Sequence, residues 1–168
     1  PRLMPPGKFV RADLIPGKRT EYLNAHHGTS PKLMTVPPTY FRRAVLEETP
    51  YPVRAAYMQC TNPMLSYADT QLTHQALLEL DFLAVSDVVM TPTAALADVV
   101  LPAASQFEFD DIGHYGLGHG IILARPKIVD PPGQCRPDMA IINDLGRRLT
   151  GPELWFDRWE QLMDDLLG

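Results

Sequence analysis

Between residues 53 and 104, short apolar runs alternate with a stretch of helical pattern. The runs are VRAAYMQ at 53–59, FLAVS at 82–86 and VVLPAA at 99–104. They lack the in–out alternation of a strand with one wet face and read as strands buried on both faces. Between the first two lies DTQLTHQALLEL at 69–80, where Leu72, Ala76, Leu77 and Leu80 recur at helical spacing. Asp69 or Thr70 is placed to cap that helix. This alternation is the pattern of a parallel sheet covered by helices. In such sheets ligands sit at the carboxyl ends of the strands. Three ends therefore matter: 60–63, 86–87 and 102–105.

Other segments fill in around this unit. PTYFRRAVLEE predicts a helix over 38–48, with Phe41, Ala44, Val45 and Glu48 on one face. TPTAALAD at 91–98 predicts one or two helical turns, with Thr91 as N-cap and Pro92 in the first turn. GHYGLGHG at 113–120 reads as a loop, and IILARPKIV at 121–129 as an edge strand interrupted by Pro126. A helix is expected over 138–149, with Ile141, Ile142, Leu145 and Leu149 on one face. Another is expected over about 153–167, carrying Leu154, Trp155, Trp159, Leu162, Met163 and Leu166. Seven prolines between Pro1 and Pro38 mark an irregular, partly extended arm. The expected division is an arm over 1–37, a core domain over 38–151 and a C-terminal helix over 152–168. The chain opens on Pro1 rather than Met, which fits a piece of a longer protein whose arm lay on other domains.

Composition narrows the function classes. The chain has 168 residues, 45% of them hydrophobic, and a net charge of −5. That balance disfavours nucleic acid or an anionic membrane as the main partner. No apolar stretch is long enough for a membrane helix. The two cysteines, Cys60 and Cys135, make neither a disulfide framework nor a C-x-x-C zinc site.

Polar residues at the strand ends are the candidate ligands. Asn62 in CTNP (60–63) is either a turn former or an amide presented to a ligand at a helix entrance. Ser86 and Asp87 close the next strand, with Asp87 25 positions beyond Asn62. An aspartate there either caps a local turn or accepts two hydrogen bonds from a ribose or a base edge. Asp138 either serves the positive end of its helix or matches the ring N–H and amino donors of a guanine. No G-x-G-x-x-G occurs, so the common nicotinamide-binding pattern is not supported. The histidines show no metal-ligand spacing, and Glu108, Asp110 and Asp111 read as a solvated or capping cluster. Cys60 has no legible activating base nearby.

Taken in order, the motifs resemble the molybdopterin oxidoreductases of the dimethyl-sulfoxide-reductase family. The resemblance rests on the Asn-Pro turn, the Ser-Asp strand end, TPTAALADVVLPA at 91–103, and PPGQCRPD at 131–138. It covers roughly residues 53–151. It implies an α/β fold, a Rossmann-like three-layer domain with a mostly parallel sheet and helices on both faces. It also implies molybdopterin guanine dinucleotide as cofactor, carried in the parent enzyme as a pair on molybdenum or tungsten. By motif, Asn62, Ser86, Asp87 and Asp138 match the family's cofactor-binding positions, with Asp138 toward the guanosine end. The implied partners are the remaining domains of the catalytic subunit and an iron–sulfur electron-transfer subunit.

The chain also departs from the family. Relatives such as the periplasmic nitrate reductases have a cofactor-binding lysine after the glutamate matching Glu108, and Phe109 stands there here. The cysteines of the parent's 4Fe–4S cluster and its metal ligand have no counterpart in this sequence. The chain alone is therefore expected to bind part of a cofactor weakly and to catalyse nothing. Two alternatives stand beside this reading: a nucleotide-binding α/β domain of another class, and a non-catalytic interaction module built on the proline-rich arm.

Overall fold

A computed structural model describes residues 37–114, 122–158, 160, 161 and 164. The expected arm, apart from Pro37, lies outside them, as do His26, His27, His119 and most of the expected C-terminal helix. The described chain is mixed α/β, with a three-stranded parallel sheet, a separate antiparallel pair and four helices.

The sheet runs β1 (Ala55–Gln59), β2 (Phe82–Asp87), β3 (Val99–Pro102), in that spatial order. Ala55 lies opposite Phe82 and Gln59 opposite Ser86; Ala84 lies opposite Val99 and Asp87 opposite Pro102. Parallel pairing in this register brings all three carboxyl ends to one edge. A parallel bridge, Ala103 to Arg136, adds a fourth segment beyond β3. There the Arg136 N–H donates to Pro102 O at 3.1 Å and the Ala104 N–H to Arg136 O at 2.8 Å.

Only β2 is buried on both faces, with Leu83, Ala84, Val85 and Ser86 all at 8% exposure or less. β1 is an edge and β3 is covered only at its carboxyl end, by Arg136, so both stay half exposed, against the expectation for all three. The core gathers Met58, Leu77, Leu83, Val85 and Ala94, with Phe41, Met64, Leu80 and Leu96 packed around them.

α1 (Pro38–Leu46) buries Ala44 and Val45 as expected but stops before Glu48. Glu48 takes a left-handed φ of 53°, and Pro50, which disfavours helical geometry before it, follows closely. Arg42 is buried on α1 and donates to Ala68 O and the Thr73 hydroxyl, joining α1 to the next long helix. That helix, α3 (Thr70–Leu78), buries Thr73, Ala76 and Leu77. It is capped by Asp69, whose carboxylate accepts the Leu72 N–H at 3.0 Å. Between β1 and α3 the sequence reading missed one helical turn, α2 (Pro63–Ser66).

The expected edge strand does not join the parallel sheet. β4 (Asp111–His114) pairs antiparallel with β5 (Ile122–Arg125), so Gly113 and His114 are strand rather than loop. An Arg125–Asp111 ion pair at 2.8 Å closes the ribbon's open end.

α4 (Asp138–Thr150) packs through Ala140, Ile141, Asn143 and Gly146, while Leu149, expected inside, is 73% exposed. The reason lies after the helix. Gly151, with φ 93°, turns the chain into a 3-10 turn at Pro152–Leu154, and Trp155 is extended rather than helical. Buried Asn143 then exchanges two hydrogen bonds with the Phe156 backbone, at 2.9 and 3.1 Å. The Trp155 ring lies over Gly146, where an added Cβ would fall 2.0 Å from ring carbons. Gly146→Ala should therefore destabilise the chain, although alanine favours a helix by about 1 kcal/mol. Overpacking costs about 1–3 kcal/mol, so thermal unfolding should show a midpoint several degrees lower; a raised midpoint would contradict this packing.

Candidate functional site

The aligned strand ends and the start of α4 enclose a cleft of about 360 Å³. Cys60, Thr61 and Asn62 follow β1; Ser86, Asp87 and Val88 end β2; Thr91, Ala103 and Asp138 complete the wall. All four residues singled out from the sequence thus meet at one place, across 76 positions of chain from Asn62 to Asp138.

Asp138 is held from two sides. The Ser86 hydroxyl donates to Oδ1 at 3.1 Å and the Cys60 thiol to Oδ2 at 3.0 Å. A carboxylate offers about four acceptor positions, so each oxygen of Asp138, which lines the cleft, can accept a further donor. Ser86 is fully buried, and its hydroxyl is spent on Asp138. It orients the carboxylate rather than facing a ligand. Asp87 accepts the Val88 N–H at 2.8 Å through Oδ1. The Asn62 carbonyl oxygen of the side chain accepts the Thr93 hydroxyl at 2.6 Å.

The acids set the electrostatics. Burial pushes the Cys60 thiol up, its donation to Asp138 and the charges of Asp138 and Asp87 push further, and it reaches about 11. Tyr57, on β1 three residues earlier, is raised mainly by burial, with Asp138 and Cys60 adding to it. Among the described residues no Lys or Arg lines the cleft. Arg136, two residues from Asp138, turns away to Asp144 at 2.5 Å.

The remaining candidates are structural. Glu108 accepts the Ser105 N–H, Asp110 the Lys127 N–H, and Asp111 pairs with Arg125. Among the described residues no group of His, Cys, Asp and Glu could hold a metal ion, and no helix could cross a membrane. Sequence reading missed Thr93, placed Thr91 only as a helix cap, and weighed Cys60 only as a nucleophile without a base. Only Thr91 left a signal, as the expected cap: its Oγ1 does accept the Ala94 N–H at 3.1 Å.

A thiol near 11 is a poor nucleophile at neutral pH. In a Cys135→Ser background, alkylation of Cys60 at pH 8 should run roughly a hundredfold slower than for an ordinary, unperturbed thiol. Asp138→Asn should speed it, because it removes a charge that opposes the thiolate. Mass-spectrometric rates that ignore Asp138→Asn would contradict the arrangement.

Comparison with known proteins places the chain. A family model described as "Molybdopterin oxidoreductase" matches residues 16–148. The F420-dependent formate dehydrogenase subunit alpha of Methanocaldococcus jannaschii is 33% identical over 123 residues, 73% of this chain and 18% of that protein. Trimethylamine-N-oxide reductase of Vibrio cholerae is 31% identical over 149 residues, 88% of this chain and 16% of that protein. The structure of acetylene hydratase from Pelobacter acetylenicus superposes with a TM-score of 0.73 at 28% identity, covering 78% of this chain and 18% of that one. The chain spans less than a fifth of the length of these relatives.

Proposed function

The chain belongs to the molybdopterin oxidoreductase family, and from that premise we propose that its cleft binds the guanosine end of a molybdopterin guanine dinucleotide. On this reading residues 38–151 are a Rossmann-like three-layer domain with helices on both faces. The chain is one part of a larger catalytic subunit, and an iron–sulfur subunit exchanges electrons with it. The bound cofactor, with its molybdenum or tungsten, supplies the redox or oxygen-atom transfer chemistry. The chain's own residues bind and orient.

One observation carries the reading: Asp138, fixed by Ser86 and Cys60, accepts a single hydrogen bond on each oxygen among the described residues, so each oxygen can accept another. Guanine offers two adjacent donors, its ring N–H and its amino group, that one carboxylate can match. Asp87 has its Oδ2 left for a ribose hydroxyl. The two carboxylates are acceptors that suit the N–H and O–H groups of a base and sugar, and among the described residues no cation lines the cleft. The volume of about 360 Å³ suits a nucleoside. Asn62 supplies a further polar contact, while Ser86 acts through Asp138.

Calorimetry should show guanosine diphosphate binding more tightly than inosine diphosphate, which lacks the amino group. Asp138→Asn should erase most of that preference, a change of about tenfold or more for one charge-assisted hydrogen bond. Equal affinity for adenosine and guanosine diphosphates in the wild-type chain would overturn the assignment.

A further inference from the structure

Resting on the guanosine reading, we propose that Thr93 is a positioning residue: it locks the Asn62 amide with its NH2 group turned to the cleft, so that Asn62 only donates to the nucleotide. Thr93 is fully buried. Its hydroxyl oxygen accepts the Met64 N–H at 3.1 Å. Its single proton then goes to Asn62 Oδ1, at 2.6 Å, a normal O–H···O separation.

The direction of this relay decides how Asn62 is oriented. With the amide reversed, NH2 would become a second donor onto Thr93, and the buried hydroxyl proton would lose its acceptor. Leaving a buried donor unmet is costly, so the observed orientation wins. Asparagine is a preferred N-cap, yet at the start of α2 the Asn62 side chain makes no capping bond. It is diverted to Thr93 across 31 positions of sequence. The Asn62 NH2 has no partner among the described residues and is not sealed from solvent. It therefore presents two donor hydrogens to the cleft that Asn62 lines. The matching ligand group is an acceptor: a guanine carbonyl or ring nitrogen, or a phosphoryl oxygen.

Four variants of the full chain test this: Thr93→Val, Thr93→Ser, Asn62→Ala and Asn62→Asp. Calorimetry with guanosine diphosphate should show about a tenfold weaker Kd for Thr93→Val and a change under about twofold for Thr93→Ser. In the Asn62→Ala background Thr93→Val should add nothing, because Thr93 acts only through Asn62. A loss of the same size in that background would overturn the proposal. Asn62→Asp still accepts the Thr93 hydroxyl but has no NH2. It should bind as weakly as Asn62→Ala with an unchanged unfolding midpoint, and wild-type affinity there would also overturn the proposal. Repeating the series with guanosine locates the acceptor: a persisting loss puts it on the base or sugar, a vanished one on phosphate. A ligand-free readout separates this proposal from the guanosine reading. Nitrogen relaxation of the Asn62 side-chain amide should show lower order in Thr93→Val than in wild type. Unchanged order sinks the lock even if the nucleotide binds. Lower order together with a wild-type chain that ignores guanosine diphosphate sinks the guanosine reading and leaves the lock standing.

Discussion

The carboxylate of Asp138 ties together chain segments that lie 78 and 52 positions away in sequence. One oxygen takes the thiol that follows β1, the other takes the hydroxyl near the end of β2. Two residues upstream, the Arg136 backbone is pinned to the end of β3. Four segments thus converge on one point, and each arrives there only because the strands are parallel and in register. A single-residue slip of β1 against β2 would turn alternate side chains to the opposite face and undo the arrangement.

This convergence explains why the cleft is acidic and yet suited to a ligand. Two carboxylates near each other repel anions and attract neutral donors. The groups that brace them are themselves uncharged, a thiol, a hydroxyl and a backbone N–H, so they hold geometry without cancelling charge. Cys60 sits at the junction with a left-handed φ of 52°, an uncommon backbone state for a residue with a side chain. Its thiol, pushed up to about 11, stays protonated and remains a donor at neutral pH. Thr93 does for Asn62 what Ser86 and Cys60 do for Asp138. Buried or braced small groups fix the polarity of the residues that face the ligand.

Much of this was legible in the sequence, for identifiable reasons. β2 and α3 were clear because an unbroken apolar run and a helical stripe leave few alternatives. Asn62, Asp87 and Asp138 stood out because polar groups at the ends of apolar runs in an α/β pattern face one edge. The bracing was not legible: Cys60 and Asp138, or Thr93 and Asn62, are linked only through the folded register. Leu149 was misplaced because Asn143 and Trp155 set the packing of α4, and the second of these comes after the helix. Gly113 and His114 were read as loop because glycine in a short run masks a strand whose partner begins only at Ile122.

The central claim is that the strand-end cleft is the nucleoside site. The most direct measurement is a backbone amide spectrum of the chain titrated with guanosine diphosphate. Shifts should concentrate at 60–62, 86–88, 91, 103, 136 and 138, with the β4–β5 ribbon silent. Shifts spread over the ribbon and α1, with Asn62, Asp87 and Asp138 unmoved, would contradict it.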